Sequence, residues 1–179
     1  MGFTPLEGLV MATRSGTVDP GLLLWLLEHA GISEAELASR LEHESGLQAL
    51  AGTGDMGAVV ARARAGEEEA SRALDVYVHR LAGSIAAMAA AMGGMDSLLF
   101  TGGVGENAPE IRALAVERLG FLGLAIEPSR NEAATRDTDV SAPAADVRTL
   151  VVRAREDLEI ARQVRRVMDV APARTPPST

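Results

Sequence analysis

A short apolar run followed by closely spaced glycines, SLLFTGGVGEN at residues 97–107, constrains the fold of this chain most. The run Ser97 to Thr101 is short and apolar and ends in glycines that permit a turn, which predicts a buried strand. Asn107 is a helix-capping residue type, and Pro109 and Glu110 follow at first-turn positions, so a helix is expected to begin there. The order is strand, glycine loop, helix.

The loop TGGVGEN can present unpaired backbone N–H groups at a helix start to an anion or a nucleotide. Its spacing matches neither GxxxxGK nor GxGxxG, which excludes a Walker-type cradle and a dinucleotide fingerprint. Glu106 would repel a triphosphate, so this part of the loop is expected to face ribose hydroxyls, adenine or a cation. From the loop alone, an ordinary glycine turn before a helix cap explains the residues equally well.

The rest of the chain reads mainly as helix. Apolar residues recur at helical spacing from Glu67 to about Met92, which predicts the longest helix. The residues of this apolar stripe are Leu74, Val78, Leu81, Ile85, Met88 and Met92. Other helices are predicted at Thr4–Thr13, after Asp19, after Ser33 and from Glu156, and a second strand at Arg148–Val152. The proline-rich end, residues 169–179, is predicted to be a disordered tail.

Composition excludes several kinds of function. A length of 179 residues favours one domain, and a net charge of -8 without a long basic run argues against nucleic-acid binding. The absence of cysteine excludes disulfides, thiolate zinc sites and cysteine nucleophiles. No signal-peptide pattern or apolar run of roughly 20 residues is present, so we expect a cytoplasmic protein with neither nucleic-acid nor membrane partners.

Three motifs resemble the acetate kinase family in order and separation. They are MGFTPLEGLVMATRSGTVDP at residues 1–20, LFTGGVGENAPEIR at 99–112 and EDLEIAR at 156–162. The resemblance implies an α/β fold, namely an incomplete ribonuclease H-like domain of the acetate and sugar kinase/actin superfamily, helix-rich with few strands. Residues 1–168 would be the second, C-terminal domain of an acetate kinase without its first strands.

The resemblance implies reversible, ATP-dependent phosphorylation of acetate to acetyl phosphate, by in-line transfer with magnesium. Its partners would be ATP or ADP, acetate or acetyl phosphate, and a second copy in a full-length homodimer. The chain corresponds to a little under half of an acetate kinase, so we expect a partial enzyme that is inactive alone. A propionate or butyrate kinase fragment and a non-catalytic nucleotide-binding remnant stay open as alternatives.

The resemblance also assigns site residues. Arg14 matches the arginine that stabilises the transferring phosphoryl group, and Glu156 matches the glutamate associated with magnesium; both residue types suit these roles. The nucleotide-binding positions are Asp55, Met56, Gly57, Gly103, Val104, Gly105, Glu106 and Asn107. From the residues alone, Arg14 is better explained as a cation at a helix C-terminus, and a carboxylate in a helical first turn is the alternative explanation of Glu156.

Two positions depart from the family pattern. Gly57 stands where the family has an arginine, so we expect a cationic or stacking contact to the nucleotide to be lost. Ala154 and Arg155 replace the family's usual Thr-Asn ahead of Glu156, which puts a basic side chain beside the expected magnesium carboxylate. Weaker magnesium binding is the expected consequence.

Overall fold

The computed structural model describes residues 2–135 and 137–170, and within them helices dominate a small sheet. The helices are α1 Pro20–His29, α2 Glu34–His43, α3 Gly46–Ala51, α4 Met56–Arg64, α5 Glu68–Met92, α6 Gly102–Asn107, α7 Pro109–Arg118, α8 Pro128–Ala133 and α9 Glu156–Val170, with a 3-10 turn at Gly120–Leu122. The strands are β1 Ser97–Phe100, β2 Thr138–Asp139 and β3 Arg148–Val151. The helix-rich α/β fold with few strands is confirmed.

The sheet has the order β1-β3-β2, with β1 parallel and β2 antiparallel to β3. Phe100 pairs with Val151, so the carboxyl ends of β1 and β3 meet at one edge, where α/β folds usually bind ligands. Two of the segments that carry predicted site residues, α6 and the start of α9, follow these ends. The prediction that β1 is buried is only partly right, because Leu99 is 53% exposed on this edge strand.

The long helix α5 is confirmed, but its buried face differs from the predicted stripe. Met88 and Met92 are 60% and 67% exposed, whereas Val78 is buried as expected. The other buried residues of α5 are alanines: Ala70, Ala73, Ala82 and Ala89. Helices α3, α4 and α7 pack against α5. Alanine suits these contacts because its small side chain lets neighbouring backbones approach closely.

The helix starts read from local sequence are confirmed at α1 and α2. The Asp19 carboxylate accepts a hydrogen bond from the Gly21 N–H at 2.8 Å, with Pro20 in the first helical position. The Ser33 hydroxyl accepts from the Glu36 N–H at 3.2 Å. The Glu36 carboxylate pairs with Arg40 at 2.6 Å instead, so only half of the capping box forms.

Two predicted features are wrong. Residues 4–13 form turns and irregular backbone, not a helix, because their backbone groups bond to other segments; the Met11 carbonyl, for example, accepts from the Leu47 N–H at 2.9 Å.

Asn107 does not cap α7, whose N-cap is Ala108. The glycine loop is itself the short helix α6, and the Asn107 amide donates back to the Gly103 carbonyl at 2.8 Å. The predicted tail lies outside the described residues from position 171 onward.

Candidate active site

A cavity of about 810 Å³ lies where the N-terminal segment, the start of α4 and helix α6 meet. It is lined by residues 7–12, Leu47, Gly54, Asp55, Met56, Gly57, Tyr77, Gly103, Val104, Asn107 and Ala108. Most of these residues are apolar or glycine, with a few polar groups among them. A cavity of this size and lining is typical of a small-molecule site. Six of the eight predicted nucleotide-binding residues, from two segments far apart in sequence, therefore come together in one place.

The Asp55 segment is held firmly at the cavity wall. The Asp55 carboxylate caps α4 by accepting from the Gly57 N–H at 2.8 Å, and the Met56 side chain is buried in the core. A Cβ on Gly54 would lie 3.0 Å from that of Ala12, so the segment packs tightly on the N-terminal wall. Around Gly57 there is room, since an added Cβ would meet only the Asp55 carboxylate at 3.3 Å.

Helix α6 turns only part of its surface to the cavity. Gly103, Val104 and Asn107 line it, whereas Gly105 and Glu106 do not. A Cβ on Gly105 would lie 3.2 Å from the carbonyl carbon of Phe100, so this glycine serves the close packing of α6 on β1. Any part that Gly105 has in nucleotide binding would therefore be indirect, through its support of α6, because Gly105 is not in the cavity wall.

The Glu106 carboxylate binds backbone N–H groups of its own chain. Its Oε1 atom accepts from the N–H of Gly102 and from the N–H of Ala154, each at 2.8 Å. The carboxylate therefore occupies the positive end of α6, where it satisfies a donor that a short helix leaves open. Glu106 borders a second, smaller cavity of about 240 Å³ instead.

Tyr77, to which the sequence analysis gave no role, enters the large cavity from α5. Burial raises the pKa of its hydroxyl, which keeps the group neutral at physiological pH. An aromatic ring in such a wall offers a surface on which a nucleobase can stack. The signal in the sequence was weak, because Tyr77 stands beside the apolar stripe of a long helix and resembles a core residue.

Arg14 lies just outside the cavity, two residues after the lining residue Ala12. Its backbone carbonyl accepts from the Met11 N–H at 3.1 Å, and the Thr13 hydroxyl donates to the Glu42 carbonyl at 2.8 Å, so the backbone here is fixed. The half-buried Arg14 guanidinium makes no hydrogen bond or ion pair with any residue that the structure describes. The alternative explanation of Arg14 as a helix C-terminal cation fails, because the described residues just before it, 4–13, are not helical.

Glu156 is the exposed first residue of α9, and its carboxylate has no partner among residues 2–135 and 137–170. The neighbouring Arg155 pairs with Asp137 at 2.6 Å, and the other Asp137 oxygen accepts from the Arg153 N–H at 2.9 Å. These contacts, the backbone one first, lower the pKa of the Asp137 carboxyl. The basic neighbour of Glu156 is therefore neutralised by another carboxylate.

The described residues contain no group of three or more side chains suited to hold a metal ion. Magnesium commonly takes one or two protein carboxylates together with substrate phosphates and water. A single free carboxylate such as that of Glu156 fits such a shared site and does not fit a dedicated protein cage.

The family model described as the Acetokinase family matches residues 1–162. The chain belongs to the acetokinase family. It is 47% identical to the acetate kinase of Gloeobacter violaceus over 164 residues, which cover 91% of this chain and 40% of that protein. The chain thus spans about two fifths of the length of this curated relative.

Two solved structures resemble the chain closely. The acetate kinase of Porphyromonas gingivalis matches with a TM-score of 0.86 and 35% identity over 94% of this chain and 43% of that one. A propionate kinase from Francisella tularensis matches with a TM-score of 0.85 and 35% identity, covering 91% and 42%. Membership of the acetokinase family and the partial α/β fold are therefore both shown for this chain.

One acetokinase residue that the sequence analysis passed over is Arg112, which is 1% exposed. Its guanidinium donates to Asn131 and to two carbonyls of α6. Burial lowers the pKa of Arg112. A signal was present in the sequence, because its helical neighbours three and four positions away are all apolar: Ala108, Pro109, Ala115 and Val116.

No helix among the described residues of this acetokinase chain has both the length and the apolar character that a membrane crossing requires.

Proposed function

We propose that this chain carries the nucleotide side of an acetate kinase active site, in which ATP phosphorylates acetate reversibly by in-line transfer with magnesium. The observation that carries the proposal is the meeting of Asp55–Gly57 with Gly103, Val104 and Asn107 in one mostly apolar cavity. Acetokinase membership makes an adenine nucleotide the natural ligand of that cavity. The apolar wall and the Tyr77 ring suit a base, and the Asn107 amide and backbone groups suit ribose hydroxyls.

Arg14 is proposed to act at the transferring phosphoryl group. The transition state spreads negative charge over three equatorial oxygens, and a planar guanidinium with several donors complements that charge. The unpaired state of Arg14 among the described residues supports this role, because a guanidinium already held in an ion pair would have to be released first.

Glu156 is proposed to contribute one oxygen to the magnesium ion that accompanies the nucleotide. The ion would offset the charge of the phosphates when bound. The exposed carboxylate, which has no partner among the described residues, supports this role, as does the pairing of the adjacent Arg155 with Asp137.

The chain spans about two fifths of the length of its curated acetate kinase relative, and we expect catalysis to require further groups from the rest of such an enzyme. We therefore expect the 179-residue chain to bind nucleotide without appreciable turnover. A cytoplasmic location and homodimerisation of the full-length protein belong to the same proposal. Propionate is the alternative acyl substrate, favoured by the similarity to the Francisella tularensis propionate kinase. A non-catalytic nucleotide-binding role is the alternative from another class.

A matched pair of glycine variants tests the nucleotide site. Gly103 lines the cavity and Gly83 lies exposed on α5, and an added Cβ meets nothing within 4 Å at either position. Both Gly103→Glu and Gly83→Glu should therefore fold, but only Gly103→Glu places a carboxylate in the cavity. Titration with a fluorescent ADP analogue should show saturable binding by the wild type and Gly83→Glu, weakened at least about tenfold in Gly103→Glu. Equal affinities, or no binding by the wild type, would contradict the proposal.

A further inference from the structure

We propose that the buried pair Arg112 and Asn131 positions helix α6 for nucleotide binding by tying the carbonyl end of α6 to α8. The inference rests on the proposed function, since it takes α6 to be part of the nucleotide site. Arg112 does not line the large cavity, so its role is to position other residues and not to touch the ligand.

Helix α6 needs such support because it is only six residues long. Helices this short are not stable by themselves, and their last carbonyls lack partners within the helix. Arg112 supplies the missing donors, because its Nη1 atom donates to the carbonyl oxygens of Gly105 at 2.8 Å and Glu106 at 2.9 Å. A cation at this end also complements the helix dipole.

The other side of the guanidinium is fixed by α8. The Arg112 Nε atom donates to Asn131 Oδ1, and Nη2 donates to the Asn131 carbonyl oxygen, both at 2.7 Å. The Asn131 amide then donates to the Pro109 carbonyl at 2.8 Å, and Asn131 is 2% exposed. Four of the five guanidinium N–H groups are therefore engaged, and the side chain cannot move without breaking contacts on both helices.

Burying Arg112 costs free energy, which indicates a role beyond general packing. A buried guanidinium loses its hydration, and here all its hydrogen-bond partners are neutral oxygens instead of a carboxylate. The neighbouring Arg118 on the same helix shows the ordinary alternative, an exposed ion pair with Asp75 at 2.9 Å. Of these two arginines, it is Arg112 that reaches the helix that carries Gly103, Val104 and Asn107.

Substitution by lysine separates geometry from charge. Lysine keeps the positive charge but presents three donors at one point, so it cannot span α6 and Asn131 together. We expect Arg112→Lys to weaken binding of a fluorescent ADP analogue by about tenfold, and to speed hydrogen exchange of amides 102–107 while amides 56–64 of α4 keep the wild-type rate. Arg118→Lys, on the same helix, should match the wild type in both measurements.

A second variant keeps the inference testable if Arg112→Lys does not fold. Asn131→Ala leaves the arginine and the Asn131 carbonyl in place but removes one acceptor of Arg112 and the contact with Pro109. It should loosen α6 and weaken ADP binding by a smaller factor, about threefold. The inference is overturned if folded variants bind ADP and exchange at 102–107 like the wild type, or if α4 and α6 loosen together. A wild type that binds no ADP would overturn the proposed function itself, and the inference with it.

Discussion

The Glu106 carboxylate accepts a hydrogen bond from the Ala154 N–H at 2.8 Å and so joins α6 to the segment that leads into α9. The same oxygen accepts from the Gly102 N–H, at the start of α6. One carboxylate oxygen therefore links the helix that lines the cavity to the segment that carries Glu156. A structural change in α6 is expected to shift the segment that carries Glu156, and the reverse, because the two are joined by short hydrogen bonds to backbone N–H groups.

The first prediction concerns this link. Glu106→Ala removes the acceptor for two backbone N–H groups and should lower the free energy of unfolding by about 1–3 kcal/mol. It should also weaken ADP binding, because the start of α6 is released. Glu106→Gln keeps an amide oxygen at the same place and should lie close to the wild type. Thermal unfolding and ADP titration of both variants test this. Wild-type stability and wild-type ADP affinity in Glu106→Ala would contradict it.

Restoring an arginine at position 57 should tighten nucleotide binding. Gly57 lines the cavity, and a Cβ there meets only the Asp55 carboxylate at 3.3 Å, which leaves room for a long side chain. We expect Gly57→Arg to lower the Kd for ADP several-fold, because the cation would face the ligand and not the core. This change corresponds to a gain of roughly 1 kcal/mol in binding free energy. Gly83→Arg is the control for added charge alone. An unchanged or higher Kd in Gly57→Arg would count against the assigned cavity.

Arg14 should be dispensable for folding and for nucleotide affinity. Its guanidinium makes no hydrogen bond or ion pair with the described residues, so Arg14→Ala should change the free energy of unfolding by less than about 0.5 kcal/mol. In a full-length acetate kinase that contains this domain, the same change should lower kcat by about 10³-fold or more with little change in the KM for ATP. Steady-state kinetics measure both quantities. Unchanged turnover would remove the role of Arg14 in phosphoryl transfer.

The turn at Gly46 should be intolerant of any side chain. Its φ is +63°, and a Cβ would lie 2.2 Å from the Met11 carbonyl oxygen and 2.7 Å from that of Arg14. Gly31 has nearly the same φ, +64°, but open space around it. Gly31→Ala should cost about 1–2 kcal/mol from backbone strain alone, and Gly46→Ala clearly more. Equal losses in chemical denaturation would show that the predicted clash is absent.

Acid should weaken the contact between β2 and β3. Hydrogen bonds from the Ser141 hydroxyl and backbone, and then from Arg148, lower the pKa of the Asp139 carboxyl to about 2. Because the folded pKa lies below the unfolded one, the stabilisation is complete above about pH 4 and is lost as the pH falls toward 2. Asp139→Asn should cost about 1 kcal/mol at pH 7, after allowance for solvent screening, and less at pH 2. A difference that does not change with pH would contradict this.

The sequence predicted those features that depend on neighbouring residues. Asp19 and Ser33 were identified as caps because a capping side chain bonds within three residues of itself. The strand Ser97–Phe100 and the helix start at Pro109 are likewise local. Asn107 was misassigned because its choice between two helices depends on how α6 packs against β1, which neighbouring residues do not encode.

Features that depend on contacts between distant residues could not be predicted from the sequence. Residues 4–13 are apolar on one side, yet their backbone bonds to Leu47 and Gln48, which turns the segment into a wall of the cavity. The contacts of Glu106 with Ala154 and of Arg112 with Asn131 also join residues far apart in the chain. A shared nucleotide site for Asp55 and Gly103 was predicted from the family resemblance, since nothing in the neighbouring residues shows that the two meet.

A crystal structure of the chain with ADP tests the central claim most directly. The account predicts adenosine in the cavity between α4 and α6, in contact with Gly57, Gly103, Val104 and Asn107, with the phosphates directed toward Arg14. Adenosine bound elsewhere on the chain, or an empty cavity in crystals grown at saturating ADP, would contradict it.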